Sequence, residues 1–497
     1  MKRRVCVIGA GPRGLVVARH LSSLKDVEVV VFEAQDKVGG MWLRSNTQTT
    51  QQDLSLVDNF KELYGHHHGS IYETLTTNLP YFFMEYKDLG MLDVDKETPL
   101  ILNMGHYQKY LEAYANKFDL KKLIQFHTVV KSVRLYNNLS EEEKSKVGAA
   151  KKFVVKTVGA YGQNAHNKCE EFDYMVIASG QNSTPYTPKI KGIENFTGNV
   201  IHAKDFITPN VEIFQEKRIL VIGGGYSAVD MLLQFCSREV ERKGDCKKLI
   251  LCSRNIGYIN NSRDFCEDLQ NGRLVIHEGV VSNFKEGNIV CLSNGVEEEI
   301  DTIIYATGYK LKFPYLDQEI DRIIDHNEEE HRGCFFGPTY KKFIAIREPD
   351  LFFVGFLQQT SLIHIFGELQ ALVIKYVIEG KLVLPSQEEM MKDFDGEVEE
   401  HLSKIGDLAH FYKANLADFY PNMSGNIEKN DWLFLSEWLK PIHPNNNEEK
   451  AQEFFNYIIE TKKEISKLRK DCNLVQFKHY NYWDVFPKDF RNTSDFV

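Results

Sequence analysis

The sequence lacks paired cysteines. Its nine cysteines are scattered over 497 residues, and no two of them form a Cys-x-x-Cys motif. An odd number of isolated cysteines is typical of reduced thiols, so we expect a cytoplasmic protein with neither a disulfide framework nor a cysteine zinc site. The run His66–His68 is interpreted as an exposed loop, and we expect no metal site.

Long hydrophobic runs are also absent. No stretch of 18 apolar residues occurs, and the nearest candidate, 351–377, is interrupted by Gln358, Gln359, His364, Glu368 and Gln370. The apolar run before Gly9 is too short for the core of a signal peptide. We therefore expect no integral membrane anchor. An amphipathic helix over 448–470 leaves peripheral membrane or partner docking open, although packing on its own domain is the commoner use of such a helix.

Positive charge is not in excess. The chain has 60 Lys and Arg against 70 Asp and Glu, which gives a formal net charge of −10. Because nucleic-acid binding draws on surplus Lys and Arg, nucleic acid is excluded as a main partner. The hydrophobic fraction of 43% is that of an ordinary globular protein with several domains. A homodimer is compatible with such a chain, and the sequence does not decide the oligomeric state.

A glycine motif near the N-terminus is the first positive signal. Gly9-x-Gly11-x-x-Gly14 lies between a predicted strand and a predicted helix, and Glu33 ends the next strand, 22 residues after Gly11. Glycines at these positions allow a tight turn, backbone approach to a pyrophosphate and close strand–helix packing, while the acid suits ribose hydroxyls. The predicted dinucleotide contacts are Gly9, Gly11, Pro12, Arg13, Gly14 and Glu33, followed by Gly40, Met41 and Trp42.

The same device recurs near the middle of the chain. Gly223-x-Gly225-x-x-Ala228 follows a predicted strand and opens a predicted helix. The next strand ends in Arg254 rather than an acid. An arginine there suits a 2′-phosphate, so the pattern favours NADPH over NADH. The predicted contacts of this second site are Gly223, Gly225, Tyr226, Ser227, Ala228 and Arg254.

Two such units predict an α/β protein with two Rossmann-like dinucleotide-binding domains of the three-layer ββα type. We expect the first part of an FAD domain over 1–190 and an inserted NADPH domain over 205–325. The second part of the FAD domain is expected over 326–497, where it ends in a helical extension.

Several further motifs resemble the flavin-containing monooxygenases. The segment 196–206, FTGNVIHAKDF, is similar to that family's FxGxxxHxxx(Y/F) fingerprint, and 39–42 is similar to its GGxW. Residues 306–309, ATGY, and 368–371, ELQA, also match family segments, and Thr77-Asn78 resembles the segment that carries the active-site Asn. The resemblance runs in order from about residue 4 to 375.

This resemblance implies a function. NADPH would reduce FAD, O₂ would add at flavin C4a as a hydroperoxide, and its terminal oxygen would pass to a small amine or sulfide. The resemblance makes Asn78 the candidate catalytic residue, adds Thr77, Thr307 and Gly308 to the cofactor contacts, and gives His202 a structural role in the linker. No cysteine lies between Gly40 and Cys169, so the electron exit of a disulfide reductase is absent.

Three alternatives stay open. The related Baeyer–Villiger monooxygenases, which act on ketones, usually carry Trp at the last fingerprint position, where this chain has Phe206. An NADPH oxidase that releases H₂O₂ would use the same two cofactors. A flavin-binding redox sensor without catalysis is the remaining reading. The substrate itself has no signature in the sequence.

Overall fold

The computed structural model describes residues 2–43, 61, 63, 71–72, 75–81, 84–148, 151–160, 168–209, 211–236, 246–254, 256, 265–321, 336–356 and 363–405. The predicted helix over 448–470 and His66–His68 lie outside these residues. The chain divides into two compact units, with breaks after 184 and 309. A short segment, 70–78, groups with the second unit rather than the first.

The first unit is built on a seven-stranded sheet. Its strands, in spatial order, are Thr339–Tyr340, Ile344–Ala345, Leu351–Phe353, Tyr174–Ile177, Arg3–Ile8, Val27–Phe32 and Ile124–Gln125. The last five run parallel, and the first two are antiparallel additions at one edge. Strand Arg3–Ile8 lies between Val27–Phe32 and Tyr174–Ile177, which both follow it in the chain, so the strand order reverses at Arg3–Ile8. A nucleotide site is expected at such a point, beyond the carboxyl ends of the strands.

Alternating side chains bury both faces of this sheet. Cys6 and Ile8 face a three-stranded antiparallel sheet, Thr128–Leu135, Phe153–Gly159 and Lys168–Phe172, with which they share a core. Val5 and Val7 point the opposite way because side chains alternate along a strand. Helices Pro12–Leu21 and Ile363–Glu379 pack against each other. Parallel sheet, antiparallel sheet and helices make the predicted three layers.

Other helices of the first unit are shorter or lie at its edge: Met91–Val94, Met104–Lys117, Glu141–Lys144, Gln318–Asp321 and Gln387–Ile405. Ser140 and Glu143 form a capping box, since the Ser140 hydroxyl accepts the N–H of Glu143 and the Glu143 carboxylate accepts the N–H of Ser140. Strands Thr76–Pro80 and Ile101–Asn103 pair as a small sheet, as do Thr184–Pro185 and Tyr309–Lys310.

The second unit repeats the three-layer plan. Its parallel sheet has the order Asn199–His202, Thr302–Tyr305, Arg218–Ile222, Lys248–Ser253 and Leu274–Glu278. Ile219 and Val221 face helix Tyr226–Cys236 in one core, whereas Leu220 and Ile222 face a second core. That second core is closed by an antiparallel sheet of Val281–Lys285, Ile289–Leu292 and Glu297–Glu299. A short helix, Cys266–Gln270, precedes the last parallel strand.

The predicted fold class is therefore confirmed. Each of the two βαβ units expected from the glycine motifs is present. Among the described residues, no helix combines the length and apolar composition needed to cross a bilayer. The same part of the chain contains no cluster of three or more His, Cys, Asp or Glu side chains suited to a metal ion.

Candidate dinucleotide sites

The first glycine motif forms a strand–turn–helix cradle in the first unit. Gly9 follows strand Arg3–Ile8 with a φ of +104°, and a Cβ there would lie 2.6 Å from the carbonyl oxygen of Ala178. A side chain is therefore excluded at this position. Helix Pro12–Leu21 begins after Gly11, where the described residues provide no side-chain cap. Its first N–H groups are left to bind an anion.

Gly40 approaches the same helix start from the opposite side. A Cβ at Gly40 would lie 2.9 Å from the Cα of Gly11, and one at Gly11 would lie 3.4 Å from the Cα of Gly40. The N–H of Gly39 donates to the carbonyl of Ala10 at 3.1 Å, which holds the two loops together. The carbonyl of Gly40 accepts from the Gln35 amide at 3.1 Å. The two glycine loops thus form one continuous backbone surface.

Glu33 stabilises the glycine turn that follows strand Arg3–Ile8. It is 3% exposed, and its two carboxylate oxygens accept the N–H groups of Ala10 at 2.6 Å and Gln35 at 2.9 Å. Burial raises the pKa of the Glu33 carboxyl. The carboxylate therefore stabilises the glycine turn itself, which is a role the spacing did not predict. Its contact with a ribose stays a prediction.

Arg13 places a cation inside the first unit. Its side chain lies against Gly355 and Gly367, where any Cβ would fall on the arginine. Its Nη1 is inaccessible to solvent and has no hydrogen-bond partner among the described residues. Burial lowers the pKa of Arg13. Because an unpaired buried charge is costly, this site is suited to an anion such as a dinucleotide phosphate.

The loop after strand Val27–Phe32 contributes an aromatic side chain, Trp42. Gly40–Trp42 form a short 3₁₀ turn, in which Met41 is 37% exposed. The ring of Trp42 lies 4.7 Å from that of Tyr107, edge to face, which fixes its orientation. The exposed Met41 and the oriented indole are available to cover a flat cofactor ring.

The second glycine motif forms the equivalent cradle in the second unit. Gly223 has a φ of +120°, and its N–H donates to the carbonyl of Cys252 at 2.9 Å. Helix Tyr226–Cys236 begins after Gly225, and Ser227 in its first turn is exposed. A Cβ at Gly225 would meet no atom of the described residues within 4 Å, so the space in front of this helix is open. Ala228, in the same turn of the helix, is buried.

Arg254 follows directly after strand Lys248–Ser253, as the sequence predicted, and its side chain is exposed. This strand neighbours Arg218–Ile222, which leads into the glycine turn. The guanidinium is thus free to bind a phosphate at the edge of the second cradle. Whether it does so stays a prediction.

His202, from the resemblance fingerprint, holds the turn at Gly308. Its Nδ1 accepts the N–H of Lys204 at 3.1 Å, and its Nε2 donates to the carbonyl of Gly308 at 3.0 Å. This pattern requires the neutral tautomer with the proton on Nε2. Burial lowers the pKa of His202, which agrees with a neutral ring. The contacts match the structural role expected for this residue.

The neighbouring Thr307 is half-buried. Its hydroxyl donates to the carbonyl of Tyr186, and the N–H of Tyr186 donates to the carbonyl of Gly308 at 2.9 Å. The Thr307 side chain is therefore engaged within the protein. A cofactor would meet the backbone of Thr307 and Gly308 rather than the hydroxyl.

Thr77 and Asn78 lie in strand Thr76–Pro80. Thr77 is 3% exposed. The side chain of Asn78 falls outside the parts of the chain that the structure describes, so its predicted catalytic role rests on its place in this strand. Both residues belong to the segment 70–78, which groups with the second unit.

Comparison with known proteins gives a common answer. A family model described as flavin-binding monooxygenase-like matches residues 2–265 and 258–434. The chain belongs to this monooxygenase family. A trimethylamine monooxygenase from Roseovarius sp. (strain 217) is 31% identical over 398 residues, covering 79% of this chain and 78% of the relative. A flavin-containing monooxygenase from Arabidopsis thaliana, FMO GS-OX5, is 30% identical over 395 residues, covering 78% and 76%.

Solved structures of other proteins share the fold. S-allyl-L-cysteine S-oxygenase from Allium sativum has a TM-score of 0.69 at 23% identity, with 96% of this chain and 97% of that chain covered. The protein Tmm from Pelagibacter sp. strain HTCC7211 has a TM-score of 0.67 at 22% identity, with 96% and 93% covered. The monooxygenase described here uses FAD and NADPH, as the two cradles and the family require.

Sequence reasoning missed some residues of these sites. Gly355 and Gly367 make room for Arg13, and the signal for Gly355 was its place two residues after the buried strand Leu351–Phe353. Tyr72 is another residue that the motifs do not indicate. It carries no motif, and only the fold brings it to the second cradle.

Proposed function

We propose that the protein uses NADPH, FAD and O₂ to oxygenate a soft nucleophilic nitrogen or sulfur of a small molecule. The observation that carries this proposal is the presence of two complete dinucleotide cradles in one chain of a monooxygenase family. Relatives named for trimethylamine and for S-allyl-L-cysteine support nitrogen and sulfur as the oxygenated atoms.

We assign FAD to the cradle around Gly11 and Gly40, and NADPH to the cradle around Gly225. Bound there, FAD supplies the transfer of electrons from NADPH to O₂ that oxygenation requires. The protein's part is to bind and to orient. The helix start after Gly11 and the Arg13 cation offer positive charge to phosphates, and Trp42 offers a fixed apolar face.

Arg254 is assigned to the 2′-phosphate of NADPH, because it is an exposed cation at the end of the second strand of its unit. His202 keeps the Gly308 turn in place without taking up a proton, since it is held neutral. The two residues thus divide the work between recognition of the cofactor and support of its cradle.

Asn78 is assigned to the reacting centre, where its amide would hold the nicotinamide and flavin edges in place. Replacing Asn78 with Ala should abolish oxygenated product while NADPH is still consumed. Product and NADPH are measured in the same reaction, so retained product formation would remove the assignment. Asn78→Asp serves as the matched variant, because it keeps the size of the side chain and replaces the amide donor with a charged carboxylate that only accepts.

The function is tested by reducing the purified flavoprotein with NADPH without oxygen and then admitting O₂ with a substrate. We expect the yellow flavin colour to bleach, and we expect one oxygen atom to enter a tertiary amine or a thioether per NADPH oxidised. A protein that is colourless with saturating FAD, or that NADPH does not bleach, would contradict the proposal.

The same assay separates the alternatives. A cyclic ketone converted to its lactone would point to a Baeyer–Villiger reaction, and H₂O₂ formed in place of product would point to an NADPH oxidase. Phe206 at the end of the fingerprint favours heteroatom oxygenation over the ketone reaction.

Location and assembly are the remaining expectations. The cysteines described by the structure, Cys6, Cys169, Cys236, Cys246, Cys252 and Cys291, are all free thiols. This agrees with the reducing environment of a cytoplasmic protein. Size-exclusion chromatography with light scattering would test the homodimer.

A further inference from the structure

Tyr72 is anchored in the second unit by a buried hydrogen bond. Its hydroxyl donates to Oδ2 of Asp230 at 2.7 Å, and both residues are 6% exposed. Burial, together with the Asp230 carboxylate, raises the pKa of Tyr72, so the phenol is a proton donor at every physiological pH. Asp230 lies in helix Tyr226–Cys236, two residues after Ala228.

The ring of Tyr72 makes a second anchor. It packs edge to face on Phe206, with centroids 5.8 Å apart and an interplanar angle of 76°. Phe206 ends the fingerprint segment and lies 5.6 Å from Phe214 and 6.1 Å from Phe235 in the same core. Tyr72 therefore contacts both the fingerprint and the helix that follows the second glycine motif.

This double anchor lies a short distance along the chain from the predicted reacting residue. Asn78 is six residues after Tyr72, and a chain of that length spans at most about 20 Å. The N–H of Leu75 donates to the carbonyl of Tyr72 at 3.1 Å, and Leu75 packs against the core that holds Tyr72. The hydrogen bond between Leu75 and Tyr72 thus fixes the point at which strand Thr76–Pro80 begins.

We propose that Tyr72 and Asp230 are a positioning pair. They hold the strand that bears Thr77 and Asn78 at a fixed position relative to the helix Tyr226–Cys236, which follows the second glycine motif. This inference rests on the proposed function. Tyr72 does not touch the reacting atoms in this scheme. Its effect is to keep Asn78 at one distance from the nucleotide, so that each NADPH oxidised leads to one oxygenated product.

The test compares Tyr72→Phe with a matched control in the same unit. The Phe variant keeps the ring on Phe206 and removes only the hydroxyl. Thr302→Val removes another buried hydroxyl of the second unit, which donates to the carbonyl of Ile213 at 2.6 Å and lies on strand Thr302–Tyr305. Both variants lose one buried hydrogen bond, but only the first frees the segment 70–78.

Two readouts are taken on the FAD-loaded full-length protein. For Tyr72→Phe we expect amide hydrogen exchange in the peptide over 71–78 to be about tenfold faster, and product formed per NADPH to fall at least threefold. The KM for NADPH and the FAD content should stay within twofold of wild type. Thr302→Val should lower the melting temperature and leave exchange in 71–78 and product per NADPH unchanged.

Asp230→Asn provides the second variant, because its carboxamide oxygen can still accept from the phenol. Product per NADPH should then lie between the values for wild type and Tyr72→Phe. The pair is overturned if Tyr72→Phe behaves like Thr302→Val in both readouts, or if Asp230→Asn uncouples more strongly than Tyr72→Phe. Wild-type protein that makes no product would contradict the proposed function alone, since the exchange comparison still tests the anchor.

Discussion

Gly40 lies so close to Gly11 that a Cβ on Gly40 would stand 2.9 Å from the Cα of its neighbour. Gly40 also has a φ of +57°, which L side chains adopt at a cost. The contact joins the loop after strand Val27–Phe32 to the start of helix Pro12–Leu21. Any side chain at Gly40 must push these two backbones apart. This would distort the backbone surface that the two glycine loops form.

Gly40→Ala is therefore expected to weaken FAD binding. The purified variant should retain less than about a tenth of the wild-type flavin per chain, measured from the absorbance spectrum. Gly396→Ala is the control, because a Cβ there meets nothing described within 4 Å and Gly396 lies inside helix Gln387–Ile405. In a helix interior Ala is favoured over Gly by about 1 kcal/mol, so that variant should be as yellow as wild type and no less stable.

Arg13→Met should separate protein stability from cofactor affinity. Methionine fills much of the same space without a charge, so the flavin-free protein should become more stable, since a guanidinium nitrogen that is buried without a hydrogen-bond partner is removed. The affinity for FAD should fall at least tenfold, because the phosphates lose their cation. Thermal unfolding of the flavin-free protein and fluorescence titration with FAD measure the two effects.

Arg19→Met is the matched control for Arg13→Met. Arg19 lies on the same helix, Pro12–Leu21, and pairs with Asp88 at 3.1 Å. Its loss should leave the affinity for FAD unchanged. Equal FAD affinity in wild type and Arg13→Met would show that the guanidinium does not bind the cofactor.

Arg254→Ala should change the choice of nicotinamide cofactor. If the exposed guanidinium binds the 2′-phosphate, the KM for NADPH should rise about tenfold, as a charged hydrogen bond of about 1.5 kcal/mol is lost. The KM for NADH, which has no such phosphate, should change less than twofold. For Arg254→Lys the KM for NADPH should lie between the values for wild type and Arg254→Ala. Lysine keeps the positive charge but lacks the paired N–H donors of the guanidinium. Equal changes for both cofactors would refute the assignment.

Glu85→Gln should flatten the pH dependence of stability. Glu85 accepts the N–H of Met91 at 2.7 Å, and burial raises its pKa from 4.5 to about 7. In the unfolded chain the Glu85 carboxyl ionises near its ordinary pKa of 4.5. The free energy of unfolding therefore falls progressively as the pH rises from about 4.5 to about 7, because the buried carboxyl resists ionisation in the folded protein. Above that range the penalty amounts to roughly 3 kcal/mol. Relative to wild type, the variant should gain stability across that interval.

Urea denaturation of both proteins between pH 4.5 and 8 measures this effect. The difference in unfolding free energy between Glu85→Gln and wild type should grow with pH. Parallel pH profiles would mean that the carboxyl of Glu85 ionises normally in the folded protein.

Much of the fold was predictable, because its signals are local. A buried strand, a glycine turn and a helix follow one another in each cradle, so a window of about 30 residues around Gly11 or Gly225 was enough. Helix Gln387–Ile405 was missed although it carries a readable start. Ser386 and Glu389 exchange the hydrogen bonds of a capping box.

The site was less predictable, because its details depend on distant contacts. Spacing placed Glu33 near the ribose, but the fold turns both its oxygens onto the N–H groups of Ala10 and Gln35. Likewise the ATGY segment, 306–309, indicated Thr307 as a cofactor contact, but the Thr307 hydroxyl donates to the carbonyl of Tyr186. Sequence motifs identify where a backbone must approach a ligand, and they do not say which side chains the protein uses for itself.

The second unit is formed from separate segments of the chain, so it cannot be expressed intact from one continuous gene fragment. A gene fragment that encodes only 185–309 would omit Tyr72, and with it one hydrogen-bond donor to Asp230 and one ring on Phe206. Grafting the nucleotide module into another host therefore needs the coding sequence for Tyr72 in addition to that for 185–309. Recombination between homologous genes would meet the same constraint, because crossovers on either side of the module would separate Tyr72 from its partner.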